Sequence, residues 1–114
     1  MRFTVELYET TSGRCPLREF LDAIKGTDPN DFTVIMAGIA KLRKYHRPPL
    51  SKPIGNSLFE LRHVGKLNTR LFYFFAAGQR IVLVHGIRNK SRETPGRDRQ
   101  TAVERRADWL SRNE

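Results

Sequence analysis

Three strand-like runs follow one another closely in the second half of the chain, and they restrict its fold more than any other feature. They read SLFELRH, TRLFYFF and RIVLVHGI, and only VGKLN and AAGQ separate them. Connections this short join antiparallel neighbours, whereas a parallel crossover needs about a dozen residues or more. We therefore predict an antiparallel three-stranded meander at the centre of the fold.

The segments before the meander predict one strand and two helices. Residues 2–9 alternate apolar with polar side chains, as in a strand with one buried face. Pro16 suits the start of an amphipathic helix that Gly26 stops, and Asp28 is placed to cap a second helix beginning at Pro29. The segment RPPLSKPIGN then predicts a loop, because it is rich in proline and glycine.

A last helix is predicted over DRQTAVERRADWLSRN, where apolar side chains recur at helical spacing and Trp109 is expected to pack against the sheet. We expect one small α+β domain spanning residues 1–114. Its small antiparallel sheet would combine the N-terminal strand with the meander, and all its helices would lie on one side.

The positive charge of the chain is concentrated in its middle. The formal net charge is +9, but residues 41–92 alone carry twelve basic side chains against Glu60, a net charge of +11. The flanking segments are close to neutral. Such a field attracts polyanions, so it favours a nucleic-acid partner over the alternative that the charge only keeps the protein soluble.

The cysteine and histidine content indicates the compartment and argues against a metal. The single cysteine, Cys15, cannot form an internal disulfide and favours a reducing compartment. The chain shows neither a signal sequence nor an apolar run long enough to span a membrane, so we expect a cytoplasmic location and no membrane partner. Three histidines at no ligand spacing predict no metal, and we expect no cofactor.

Cationic side chains fall near the ends of the meander strands, where neighbouring strand ends meet. Alternation along SLFELRH puts Glu60 and Arg62 on one face, and Arg70 begins the next strand. We predict a phosphodiester-binding patch there, because arginine stabilises the negative charge of the phosphorane and a lysine or histidine of lowered pKa transfers protons. The other cations expected to converge on it are Lys66, Arg88 and Lys90.

Two aromatic residues are candidates beside these cations. His85 lies inside an apolar strand, where the alternative to a catalytic role is a hydrogen-bonded structural histidine. Tyr73 lies on the face opposite Arg70 if the strand alternates strictly, so a site shared by the two requires a bulge or a strand end. The phenylalanines on either side of Tyr73 are assigned to the core.

The segments LFELR, RLFYFF, IVLVHGIRNKSRETP and TAVERRAD resemble the phage-derived, HigB-like branch of the RelE/ParE toxins, over about residues 55–108. The resemblance implies a RelE-like fold and the toxin of a type II toxin–antitoxin pair, an endoribonuclease that cuts mRNA on the ribosome without metal. It also implies a cognate antitoxin with an acidic segment, usually similar to helix-turn-helix DNA-binding proteins.

The same resemblance assigns roles to individual residues. Arg62 and Arg70 are expected to hold the scissile phosphate, and Lys90 matches another basic site residue. Tyr73 or His85 is expected to replace a tyrosine that the RelE pattern carries near its C-terminal end. We also assign RNA binding to four other cations of the basic segment, Lys52, Lys66, Arg88 and Arg92, of which the resemblance matches only Lys66.

Two other functions fit the same residues. The first is a ParE-like protein that poisons gyrase by binding, which the ELR and HG motifs disfavour. The second is a nucleic-acid-binding module without catalysis, which includes a degenerate toxin kept as the partner of an antitoxin.

Overall fold

A mixed sheet lies between two layers of helix in the computed structural model, which describes residues 3–45, 51–62, 67–88 and 94–113. The strands that it describes are arranged in the order β1-β5-β4-β3-β2. No helix in this described part of the chain is long and apolar enough to cross a membrane. The elements are β1 (Thr4–Leu7), α1 (Pro16–Thr27), α2 (Pro29–Tyr45), β2 (Ser51–Gly55), β3 (Leu58–Leu61), β4 (Thr69–Ala76), β5 (Arg80–Arg88) and α3 (Gly96–Asn113).

The predicted meander is confirmed, and the N-terminal strand joins it in an unexpected direction. Strand β4 pairs antiparallel with both β3 and β5. Strand β1 pairs parallel with β5, from Thr4 opposite Arg80 to Leu7 opposite Leu83. The expectation of an antiparallel sheet is therefore wrong at this edge. A parallel pairing is possible because the chain between β1 and the meander is long enough to cross over the sheet.

Strand β2 occupies part of the segment RPPLSKPIGN, for which the sequence predicted a loop. It pairs antiparallel with β3, with Lys52 opposite Glu60 and Pro53 opposite Phe59, and its register shifts between Pro53 and Gly55. Proline lacks an amide donor and is tolerated in a sheet at an edge strand or a bulge, and β2 supplies both. The loop prediction is wrong here because proline excludes central strands but not this position.

One apolar core lies on each face of the sheet. On the α1/α2 face, helix residues such as Leu17, Leu21 and Ile35 pack against strand residues such as Leu71. On the opposite face, called here the α3 face, Trp109 packs edge-on against Phe74 with ring centroids 5.5 Å apart. The α+β class is confirmed, as is the packing of the last helix through Trp109. The expectation that all helices lie on one side of the sheet is wrong.

A bulge in β5 decides which side chains lie on each face. Tyr73 pairs with Leu83 but Phe72 pairs with His85, so β5 contains one extra residue, Val84. Both Val84 and His85 consequently lie on the α3 face, where Val84 joins the core. Beyond the bulge the alternation is reversed, and Arg88 lies on the α1/α2 face.

Candidate functional site

One row of side chains crosses the sheet from β2 to β5 on the α3 face. The pairs Lys52–Glu60, Glu60–Phe72 and Phe72–His85 place these four residues side by side. Directly opposed residues share a face, and neighbouring strands lie about 4.8 Å apart. This cross-strand row joins Lys52 and His85, which sequence reasoning selected separately. Lys52 is exposed at the open end of the row, whereas Glu60 and Phe72 are completely buried.

The carboxylate of Glu60 accepts hydrogen bonds from two side chains outside the row. One carboxylate oxygen, Oε1, accepts a hydrogen bond from Nε of Arg62, and Oε2 accepts one from the hydroxyl of Thr94. A buried carboxylate requires such partners, because an unpaired charge is very costly away from water. Arg62 keeps 21% of its side chain exposed while it pairs with the buried carboxylate. The predicted common face of Glu60 and Arg62 is confirmed.

Arg70 lies on the same face as the row and close to Arg62 in the sheet. It is paired with Ile87 of β5. Leu61 of β3 pairs with Leu71 of β4. Arg62 follows Leu61 and Arg70 precedes Leu71, so in this antiparallel pair the two arginines come next to that pair on the same side. Only 2% of Arg70 is exposed. The guanidinium of Arg70 is therefore buried, whereas that of Arg62 is partly exposed to solvent.

Both ring nitrogens of His85 are engaged. Nε2 lies 2.8 Å from Oδ1 of Asp98, and Nδ1 lies 3.1 Å from Nη1 of Arg105, which also donates to the carbonyl oxygen of Val84 at 2.9 Å. Arginine only donates, so Nδ1 is the acceptor and Nε2 carries the proton. Burial lowers the pKa of His85, opposed by the hydrogen bond with Asp98. These contacts are those of a structural histidine with a neutral ring.

Two of the predicted site residues lie on the α1/α2 face, away from Arg70. Tyr73 is completely buried there, and its hydroxyl hydrogen-bonds that of Ser51. Arg88 forms an ion pair with Asp31, a buried carboxylate in the first turn of α2. The structure therefore does not bring either residue to the row. Three other predicted residues lie outside the described part of the chain: Lys66, Lys90 and Arg92.

The first turn of α3 adds charge that the sequence analysis did not assign to the site. Thr94 and Asp98 tie the start of this helix to the row through Glu60 and His85. Arg97 and Arg99 in the same turn are exposed. The helix dipole disfavours cations at this end by about 0.3–1 kcal/mol, so the dipole does not favour their position. The sequence signal for these cations was a pair of arginines at the beginning of the predicted last helix, Arg97 just before it and Arg99 just inside it.

The arrangement suits an anion rather than a metal ion. Arg62, Lys52, Arg97 and Arg99 present positive charge, and the nearby carboxylates of Glu60 and Asp98 are both paired. Guanidinium groups bind phosphate oxygens through charge-assisted hydrogen bonds, often two at once. Among the described residues, no three histidine, cysteine, aspartate or glutamate side chains come together as metal ligands.

The fold and this face define a small α+β protein whose mixed sheet carries cations beside its C-terminal helix. A family model described as "Phage derived protein Gp49-like (DUF891)" matches residues 19–107. This chain belongs to that Gp49-like family, whose members are toxin-like proteins of toxin–antitoxin systems. The matched residues include the whole cross-strand row. A comparison with curated proteins gave no match.

Proposed function

We propose that this chain is the toxin of a type II toxin–antitoxin pair and that it cleaves mRNA on the ribosome without a metal ion. The observation that carries the proposal is the Arg62 guanidinium, which is partly exposed and held by a buried carboxylate. It lies on the sheet face that also bears Lys52 and Arg70. Membership of a family found in toxin–antitoxin systems supports the same function.

RNA supplies its own nucleophile, so the protein needs mainly to orient the chain and neutralise charge. The 2′-oxygen forms a bond to phosphorus, and the bond from phosphorus to the 5′-oxygen breaks. A base takes the 2′-hydroxyl proton, and the leaving oxygen gains a proton. In this proposal Arg62 contacts the nonbridging oxygens, where one well-placed donor contributes roughly 3–4 kcal/mol to transition-state stabilisation. Arg70 adds positive potential from beneath the surface.

The proton-transfer groups are assigned to residues other than His85 and Tyr73. His85 uses both ring nitrogens within the protein, and Tyr73 lies on the other face. Lys66 and Lys90 remain the candidates from the sequence. A lysine among other cations has a lowered pKa, which brings it closer to the range useful for a general base.

The proposed partners are mRNA and the ribosome, and an antitoxin in the inhibited state. We expect the antitoxin to resemble a helix-turn-helix DNA-binding protein and to cover the site with an acidic segment. Arg62, with the exposed Lys52 of β2 and the exposed Arg97 and Arg99 in the first turn of α3, supplies the complementary charge. Such complementarity speeds association and excludes basic partners.

Primer extension on a translated reporter mRNA tests the proposal, with ribosomes present and absent. We expect new 5′ ends that require ribosomes and that decrease about 100-fold or more in Arg62→Ala. Arg18→Ala is the matched control, because Arg18 is an exposed arginine on α1, on the other side of the sheet. Intact mRNA with a folded wild-type protein would refute the nuclease. Intact mRNA with accumulated gyrase–DNA complexes would establish the ParE-like alternative.

Binding without catalysis is the second candidate, and the geometry of His85 favours it. The described residues on the α3 face offer cations but no histidine nitrogen that is open to a substrate. A binding module predicts that Arg62→Ala weakens RNA affinity and flattens its salt dependence, while no cleavage occurs under any condition. Fluorescence anisotropy at several salt concentrations measures both quantities.

A further inference from the structure

Glu60 is a completely buried carboxylate at the meeting point of three parts of the structure, and the proposed chemistry does not use it. Strand β3 carries it, and Lys52 and Phe72 flank it in the sheet. Its two oxygens hold Arg62, which follows β3, and Thr94, which precedes α3. Glu60 therefore links the exposed cation to the beginning of the C-terminal helix.

Stability alone does not explain a charge at this position. Removing a carboxylate from water is costly, and apolar residues of similar volume often replace buried ion pairs without loss of stability. The same face carries such residues beside Glu60, since Leu58 precedes it in β3 and Phe72 lies opposite in β4. The carboxylate contributes what an apolar side chain cannot, namely a fixed direction for its hydrogen-bonded partners.

We infer that Glu60 is a positioning residue, which holds the Arg62 guanidinium and the first turn of α3 in the arrangement that receives the phosphodiester. This inference rests on the proposed function. Glu60 does not touch the substrate, because it is completely buried and acts through Arg62. The bond through Nε leaves the terminal nitrogens of the guanidinium to contact phosphate oxygens.

The link to Thr94 extends the effect to a second group of cations. Thr94 leads directly into α3, whose first turn carries the exposed Arg97 and Arg99. With both oxygens engaged, one carboxylate sets the relative positions of Arg62 and these arginines. Groups held in place before the substrate arrives lower the barrier, because their freedom is already restricted.

The variant Glu60→Gln separates positioning from simple electrostatics. It keeps the shape of the side chain and removes one negative charge from a cationic face. We expect RNA affinity to stay unchanged or to increase, while the cleavage rate at saturating RNA falls about 10- to 100-fold. Cleavage that rises with affinity would overturn the inference. Glu104→Gln is the control, because it removes the same charge from an exposed position on α3.

A double-mutant cycle tests whether Glu60 acts through Arg62. Glu60→Gln should lower the cleavage rate less in the Arg62→Ala background than in the wild type, because one of the two groups that Glu60 positions is then absent. Independent effects that multiply in the double variant would overturn the inference. Glu60→Asp keeps the charge and is expected to recover part of the rate, and it replaces Glu60→Gln if the latter does not fold.

An NMR measurement keeps the inference testable if the wild-type protein cleaves no RNA. The Nε–H proton of Arg62 should exchange slowly with solvent in the wild type and faster in Glu60→Gln, because the neutral amide oxygen accepts a weaker hydrogen bond than the carboxylate does. Equal exchange in both proteins would overturn the positioning role whether or not the protein is a nuclease. Wild-type protection without any cleavage would instead refute only the proposed reaction.

Discussion

The imidazole of His85 stacks on the ring of Phe72, with centroids 5.6 Å apart and ring planes inclined by 22°. From α3, Asp98 and Arg105 engage the two ring nitrogens. The histidine thus joins β4, β5 and α3 as a neutral group. This arrangement makes the docking of α3 sensitive to protonation of one ring.

Stability is expected to decrease as the pH falls below about 6.5. Burial lowers the pKa of folded His85 below the ordinary value of 6.5, and the neighbouring Arg105 also disfavours the imidazolium. The unfolded chain therefore binds the proton first, so the contribution of neutral His85 is complete above 6.5 and is lost as the pH falls through the folded pKa. Urea unfolding from pH 7.5 to 5 measures this. An equal pH slope in His85→Gln would contradict the assignment.

The ion pair of Arg88 with Asp31 predicts a structural role for a residue that the sequence assigned to RNA binding. Arg88→Ala leaves a carboxylate of 2% exposure without this cation, which should cost about 3 kcal/mol of stability. Denaturant unfolding measures the loss. Asp31→Asn/Arg88→Gln removes both charges and should be less destabilised than Arg88→Ala. If Arg88→Ala unfolds like Arg18→Ala, the ion pair does not stabilise the fold.

The buried hydroxyl of Tyr73 predicts an effect on stability without an effect on catalysis. Tyr73→Phe removes the hydrogen bond with Ser51 and should cost about 1 kcal/mol. Ser51→Ala removes the same bond from the other side, so the two effects should not add. Thermal unfolding and the reporter cleavage assay measure the two properties. Loss of cleavage in a folded Tyr73→Phe protein would restore the catalytic role predicted from the sequence.

The close approach of α1 to β5 predicts that replacing Gly86 by any larger residue lowers the stability of the fold. A Cβ atom at Gly86 would lie 2.7 Å from Cε2 of Phe20 and 2.9 Å from Cδ1 of Leu17. Overpacking of this kind costs about 1–3 kcal/mol, so Gly86→Ala should unfold at lower denaturant concentration. Gly26→Ala is the control. Its Cβ would meet nothing within 4 Å near the end of α1, so this variant should not unfold at a lower denaturant concentration than the wild type.

The sequence predicted the helices and strands whose apolar residues recur with a clear period. It did not predict features that depend on where a segment lies in the sheet. Helices α1 and α2 begin at Pro16 and Pro29, as expected. Strand β2 was missed because Pro53 signals a loop unless its place at the sheet edge is known. Tertiary packing likewise decides that β1 runs parallel to β5 and that α3 lies on the opposite face of the sheet from α1 and α2. Local periodicity does not predict either feature.

The candidate site was predicted in part, for a related reason. Arg62 and Arg70 lie near each other because β3 and β4 are neighbours in the sheet and only a short stretch of sequence separates the two arginines. The bulge at Val84 determines on which face of the sheet Arg88 and His85 lie. The residue types around Val84 do not predict a bulge. The sequence does not predict Glu60 as a site residue, because a single acid in a basic stretch indicates only a neighbour of Arg62.

The extra residue in β5 also affects comparison among relatives of this chain. A relative with one residue fewer at Val84 would pair without interruption and keep the positions of His85 and Arg88 on their present faces, because the bulge adds a residue without changing the pairs on either side of it. A relative of the same length that alternated regularly through this point would instead turn the position of His85 toward α1 and α2 and that of Arg88 toward α3. For this strand, an alignment without a gap therefore does not show that two proteins offer the same side chains to the same ligand.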